Sequence, residues 1–183
     1  NKPDKPTTNS KGIIGDAQNF GANKVLVIRP PGVAADRRVT CMPSGNADRT
    51  MSAWVKPTSF EGLNWASASI GGWGEPERGV KPNMGLSYMT MTGIGQPRFH
   101  LYGFDPRCET ALSRGDWRHI ALSVSDDMVR FYIDGVLKNT IDNSGALVNK
   151  LDTLNTPEST PVDLGDHGNG RGPFNGTLDE VRF

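Results

Sequence analysis

Short runs of alternating apolar and polar residues, each stopped by a glycine, proline or turn cluster, set the rhythm of this chain. Successive side chains of a strand point to opposite faces, so period-two alternation marks a strand buried on one side. Arg49 to Val55 places Met51, Ala53 and Val55 on one side and ends at Lys56-Pro57. Trp117 to Val124 repeats the pattern with Ile120, Leu122 and Val124, and Ser125-Asp126-Asp127 then turns the chain. Val129, Phe131 and Ile133 alternate with Met128, Arg130 and Tyr132 up to Asp134-Gly135. That dipeptide predicts a type I′ hairpin, whose two central residues both need positive φ. Val136 to Ile141 is the return strand, closed by Asn143-Ser144-Gly145, so 117–141 reads as a three-strand antiparallel meander.

Further strands are expected at Val25–Ile28, Met84–Thr92, Pro97–Tyr102, Val162–Gly165 and Thr177–Phe183, with a short helix around 146–151. Residues 166–176 form a loop with four glycines. No long amphipathic helix and no internal repeat interrupts this pattern. Many short strands at roughly 8–12-residue spacing predict an all-β, two-sheet antiparallel β-sandwich of the jelly-roll kind. Residues 1–11 carry two prolines and three lysines but no apolar side chain, and read as a linker or irregular lead-in to a domain over 12–183.

Composition narrows the class. The chain has 183 residues, 36% of them hydrophobic, enough for one domain with its own core. Its 22 glycines and 13 prolines fall short of the roughly 25–30% at which low complexity sets in. Twenty basic side chains balance 20 acidic ones. Zero net charge offers no electrostatic footprint for nucleic acid. No run approaches the ~18 apolar residues of a membrane span, and no signal-peptide pattern opens the chain. Cys41 and Cys108 admit one intramolecular bridge, which would close a loop of roughly 70 residues and add about 4 kcal/mol. Two inert buried thiols are the alternative, reactive thiols a third; the spacing excludes a CxxC metal or redox motif.

Four segments in order resemble laminin-G-like, concanavalin A-like jelly-roll domains of bacterial extracellular proteins. They are Gly12-Ile13-Ile14-Gly15-Asp16-Ala17-Gln18-Asn19-Phe20-Gly21; Met51-Ser52-Ala53-Trp54-Val55-Lys56-Pro57; Trp117 to Leu122 leading to Phe131 to Leu137; and Phe174 to Phe183. The resemblance implies the jelly roll and an extracellular, periplasmic or cell-surface setting. For function it implies glycan binding, adhesion or a passive spacer, since such folds host all three. It also implies a strand ahead of Gly12, where this chain is polar and proline-bearing; a fragment lacking that strand, with an exposed sheet edge, is the expectation.

The chemistry-bearing residues nominate no catalyst. Retaining glycoside hydrolases need two carboxylates about 5 Å apart in one cleft. Glu75 and Glu77 lie in a glycine- and proline-rich loop, and Asp179 and Glu180 are adjacent on a strand and face opposite ways. His100, His119 and His167 have no metal-ligand spacing, and no GxSxG is present. Calcium is the one cofactor to weigh. Asp166-His167-Gly168-Asn169-Gly170 offers hard oxygen donors on a permissive backbone, and the family resemblance implies an acidic position at Asp179; local turn satisfaction is the competing reading. Sugars stack their apolar faces on aromatic rings while polar neighbours bind hydroxyls. Trp54 and Trp117 sit in strand motifs and read as core. Trp73 and Tyr102, beside loops, are the candidate platforms, with Asp166, Asn169 and Arg171 as polar neighbours; loop packing is the alternative for both rings.

The expectation is therefore a non-catalytic recognition module of a larger exported bacterial protein. Its partner is a polysaccharide or cell-surface glycan, with flanking domains of the parent protein beside it, and neither nucleic acid nor direct membrane insertion is involved. A structural or protein-interaction domain of an envelope or adhesin assembly, without a sugar ligand, is the alternative.

Overall fold

Among the described residues thirteen strands, paired antiparallel throughout, make two sheets face to face. The computed structural model describes residues 7–21, 24, 26–28, 38–39, 41–60, 68–74, 86–101, 105–144, 151, 154–156, 158, 160–166 and 172–183. The strands are β1 (Thr7–Lys11), β2 (Asp16–Phe20), β3 (Leu26–Ile28), β4 (Arg38–Val39), β5 (Arg49–Pro57), β6 (Ala68–Gly74), β7 (Leu86–Met91), β8 (Pro97–His100), β9 (Arg118–Ser125), β10 (Met128–Ile133), β11 (Val136–Asp142), β12 (Thr160–Leu164) and β13 (Gly176–Arg182). One sheet runs β1-β2-β13-β5-β9-β10-β11 and the other β3-β12-β6-β7-β8, with β4 also on β12.

The meander forms as its pattern requires. Ile120, Leu122 and Val124 of β9 and Val129, Phe131 and Ile133 of β10 are buried, as are Met51, Ala53 and Val55 of β5. Asp134 and Gly135 carry φ of 51° and 76°, the left-handed pair of a type I′ turn. The other sheet answers with Met89 and Met91 from β7 and Phe99 from β8, closed by Phe174 and Leu101. Burying each such side chain contributes roughly 1.5–3 kcal/mol, so the space between the sheets holds the fold together.

Four expectations are corrected. Residues 7–11 are not an irregular lead-in: they pair with β2 as the edge strand β1, Lys11 opposite Asp16 and Thr7 opposite Asn19. An edge strand is held by backbone hydrogen bonds, so it needs no apolar alternation to form. The strand implied ahead of Gly12 is thus present. Trp73, expected beside a loop, lies in β6 opposite Val162 and is 0% exposed. Cys41 and Cys108 are unbridged, the first exposed and the second buried. Cys41 follows β4, which pairs with β12, whereas the Cys108 amide bonds to Pro97 at the start of β8. β6 and β7 stand between β12 and β8; at about 4.8 Å per strand that separation exceeds the ~7 Å reach of a disulfide. Trp54, read as core, is half-buried on the outer side of β5. The short helix expected around 146–151 falls, except for Leu151, outside the described residues.

Candidate functional site

Each sheet has an outer face, and that of the six-stranded sheet is polar. Inward positions of β8 are Pro97 and Phe99, so Arg98 and His100 face out. Cross-strand register continues that side of the sheet as one row through Ser69, Thr90 and Arg98, and a second through Asp163, Gly72, the backbone of Tyr88 and His100, with Ser69, Thr90 and Asp163 buried and Arg98 and His100 reaching toward solvent. Beyond β8 the chain returns alongside it: the Phe99 amide donates to Pro106 O at 2.9 Å and the Cys108 amide to Pro97 O at 2.7 Å. This return brings Asp105 against both outward side chains. Its Oδ1 lies 2.5 Å from His100 Nδ1 and its Oδ2 3.7 Å from Arg98 Nη1. An ionised carboxylate only accepts, so His100 Nδ1 carries the proton. Arg98 Nε donates to Thr90 Oγ1 at 3.2 Å.

Burial and charge oppose each other here. Burial pushes Asp105 up, but the hydrogen bond and charge of His100, then Arg98 and the Leu101 backbone, outweigh it and hold the carboxyl below its ordinary range. Burial lowers Arg98, Asp105 offsets part of that, and Arg107 adds to it. Asp105 is thus a fixed anion at neutral pH, an acceptor that cannot serve as a general acid.

Asp105 also lines a pocket of about 430 Å³ with Gln96, Pro106, Arg107, Glu109 and Ile141. The volume falls in the roughly 300–1,000 Å³ range of small-molecule sites, which two smaller hollows of about 190 and 170 Å³ do not reach. It lies where β8 meets the edge of the other sheet. Asn139 of β11 donates through Nδ2 to Arg107 O and accepts from the Glu109 amide, both at 3.2 Å, and Gln96 Nε2 donates to Glu109 O at 3.2 Å. Backbone and side chains therefore fix the walls before any ligand arrives. Carboxylates, a guanidinium and an amide surround an apolar floor of Pro106 and Ile141, a combination that can bind hydroxyls while covering a C–H face.

The residues nominated by sequence do not gather here. Trp73 Nε1 donates to Pro43 O at 2.9 Å, its ring meets Phe183 edge-on at 5.5 Å, and the Arg49 guanidinium lies 5.7 Å above it. No sugar can stack on a ring so enclosed. Arg49 is itself buried, and desolvation lowers it to about 10 against the opposing pull of Asp48, so it stays charged at neutral pH. Asp166 is 4% exposed, not an open rim carboxylate. Asp179 is buried with its oxygens engaged: Oδ2 accepts from the Ile13 and Ile14 amides at 2.8 and 3.0 Å, Oδ1 from Glu180 at 2.9 Å. A carboxylate clasping three amides of the β1–β2 turn and its own strand does not fit a calcium ligand, which needs oxygens free for six to eight contacts. Among the described residues no group of three His, Cys, Asp or Glu side chains is placed to hold a metal. Tyr102, Asn169 and Arg171 lie outside the described residues, Tyr102 between Leu101 and Asp105.

Sequence reasoning missed Arg98, His100 and Asp105. Their signal was present as alternation: polar Arg98 and His100 between apolar Pro97, Phe99 and Leu101, with Asp105-Pro106-Arg107 turning the chain back.

A family model described as the concanavalin A-like lectin/glucanases superfamily matches residues 32–183. Among solved structures, the fold is similar to domain 4 of an extracellular arabinanase from Geobacillus stearothermophilus, solved in complex with arabinotriose. That similarity has a TM-score of 0.58 and 22% identity, over 94% of this chain and 72% of that one. The CBM40 of the Ruminococcus gnavus IT-sialidase, bound to α2,3-sialyllactose, gives 0.55 and 19% over 73% of each chain. Domains LG4-5 of the mouse laminin α1 chain give 0.58 and 13% over 100% of this chain and 45% of that one. No curated protein sequence matches the chain.

Proposed function

The chain belongs to the concanavalin A-like lectin/glucanases superfamily, and from that premise we propose that it is a non-catalytic module binding a polysaccharide or cell-surface glycan as part of a larger exported protein. The observation that carries this reading is the pre-formed 430 Å³ pocket beside the Arg98–Asp105–His100 cluster. Arg107, Glu109 and Gln96 supply donors and acceptors for hydroxyls, and Ile141 and Pro106 the apolar floor. Sugars bound to two similar folds support the ligand class. Asp105, held ionised by its surroundings, is not the protonated acid that glycoside hydrolysis also requires, which is in keeping with a binding role. Tyr102, three residues before Asp105 in sequence, remains the platform candidate, with Asn169 and Arg171 as its candidate polar neighbours. No helix among the described residues is long and apolar enough to cross a membrane.

The test is an oligosaccharide array probed with calcium and again with chelator. Binding is expected in both conditions, weakened about tenfold by Arg107→Ala or Tyr102→Ala with the melting temperature retained. Loss of binding in chelator alone would bring a cation into the site. Silence in both conditions would sink the glycan reading and favour the domain of an envelope or adhesin assembly.

A further inference from the structure

The outer face of the seven-stranded sheet differs in kind. Inward positions of β5, β9 and β10 are taken by the core, so Ser52, Trp54, His119, Ala121, Arg130 and Tyr132 face out, each half-buried. Register sets Trp54 opposite His119, and Ser52 opposite Ala121, which on its other side faces Tyr132. The Trp54 and His119 rings stand 5.3 Å apart, tilted by 60°. Tyr132 lies two strands over from Trp54 and two residues along, roughly 12 Å away at the backbone. The small side chains of Ser52, Ala121 and Ser123 lie between, so the face dips into a shallow trough with an aromatic ring at either end.

Hydrogen bonding in this trough is one-sided. No carboxylate and no carboxamide occupies an outward position of these three strands. Among the described residues, nothing bonds to Trp54 Nε1 or to the Tyr132 hydroxyl. Arg130 donates through Nη1 to Ser125 Oγ at 2.8 Å and through Nη2 to Met128 Sδ at 3.3 Å. Lys56 stands beyond Trp54 on β5, and among the described residues neither cation has a carboxylate partner. The trough thus presents donors, ring faces and uncompensated positive charge.

We propose that it receives a proline-rich segment of a partner protein in the polyproline II conformation. One proline lies on Ala121 between the Trp54 and Tyr132 rings, and an acidic residue beside it meets Arg130. Proline has no N–H, and a polyproline II strand makes no internal hydrogen bonds, so its carbonyls are free acceptors for Trp54 Nε1 and the Tyr132 hydroxyl. Its turn of about 9 Å is short enough to engage both rings. Its rigid rings dock on aromatic side chains with little entropy left to lose.

Other partners fit worse. An ordinary extended peptide binds at a sheet edge through backbone hydrogen bonds that a face does not offer. A sugar needs acceptors for its hydroxyl protons, in which this face is poor. The trough spans roughly 10 Å by 20 Å, far below the ~800 Å² each member of a stable protein pair buries. The pocket beside Asp105 is a separate site, and neither requires the other.

The experiment is a titration of the full chain with three peptides, followed by calorimetry and by the indole N–H signals in nuclear magnetic resonance. The probes are decaproline, decaproline with two prolines replaced by glutamate, and a glycine–serine peptide carrying the same two glutamates. The glutamate-bearing proline peptide should shift the Trp54 indole saturably and leave the Trp73 indole, bonded to Pro43 O, in place. Decaproline should bind more weakly, and the glycine–serine peptide not at all. Trp54→Ala and Tyr132→Ala should each weaken binding about tenfold, and Trp54→Phe, which keeps a ring but loses the N–H, should fall between. Ala121→Leu, on the outer side of β9 and away from the core, should fill the trough and weaken binding as much. Arg130→Gln should erase the preference for glutamate, and Arg107→Ala should leave every affinity unchanged. The proposal is overturned if no proline peptide shifts the Trp54 indole, if the glycine–serine peptide binds as well, or if Ala121→Leu binds like the wild type. It is equally overturned if xylan or chitin oligosaccharides move that indole while the proline peptides do not, or if sedimentation shows a wild-type dimer that Ala121→Leu dissolves.

Discussion

The two sheets bury the same core from opposite sides by different means. In the seven-stranded sheet β5, β9 and β10 alternate strictly, one face packed and one half-open. In the six-stranded sheet β6 is Ala-Ser-Ile-Gly-Gly-Trp-Gly and is buried at every position. A strand covered on both faces has no polar side to alternate with, and close neighbours exclude side chains from part of it. A Cβ on Gly71 would sit 2.5 Å from Leu164 Cδ2 and 3.0 Å from Asp163 O. Alternation thus marks a strand that water reaches on one side, and its absence in β6 marks the middle of the molecule. The turns differ in the same sense: the Asp134 side chain accepts from the His119 amide and pairs with Arg118, whereas Asp127, at a similar φ, accepts from the Asn143 amide through its backbone carbonyl.

The sharpest way to break this contrast is Trp73→Ala. It should cost about 3–5 kcal/mol in urea unfolding, because the ring packs on Phe183 and under Arg49 and leaves a cavity. A loss under 1 kcal/mol would mean that the six-stranded sheet is not packed as described. Gly71→Ala comes next, at about 1–3 kcal/mol from overpacking against Leu164 and the Asp163 carbonyl. In the meander, Asp134→Gly should destabilise by about 1 kcal/mol despite relieving a φ of 51°. It removes the acceptor of the His119 amide and the 2.6 Å ion pair with Arg118. Asp127→Gly, at φ 58°, should instead stabilise by about 0.5 kcal/mol; thermal melts of the two variants, opposite in sign, check the pair.

The smallest effect is a pH dependence at the polar outer face. Asp105 is depressed in the folded protein, so its contribution is present above the ordinary carboxylate pKa of about 4 and is lost as pH falls through the lower folded value. Asp105→Asn should therefore lower stability slightly at pH 7, and the gap from wild type should close in the acid range. A gap that widened on acidification would contradict the assigned direction.

The alternation of Met51, Ala53 and Val55, and of Ile120, Leu122 and Val124 against Phe131 and Ile133, was enough to predict an all-β sandwich, because a half-buried strand must repeat every second residue. Asp134-Gly135 specified its own turn, since few dipeptides accept two positive φ values. These are local requirements, legible without partners. Trp73 was not legible in this way: the same tryptophan beside glycines suits an open loop or a buried strand, and only pairing with Val162 and the arrival of Phe183 from β13 placed it inside. β1 escaped notice because an edge strand draws on backbone bonds that no side-chain pattern records. The Asp105 cluster depended on the return alongside β8, and the clasp of Asp179 on Ile13 and Ile14 joins residues 166 and 165 positions apart. Periodicity is a property of each strand by itself; which strand lies beside which, and so which side chains meet in a site, is settled only when the sheets close on a common core.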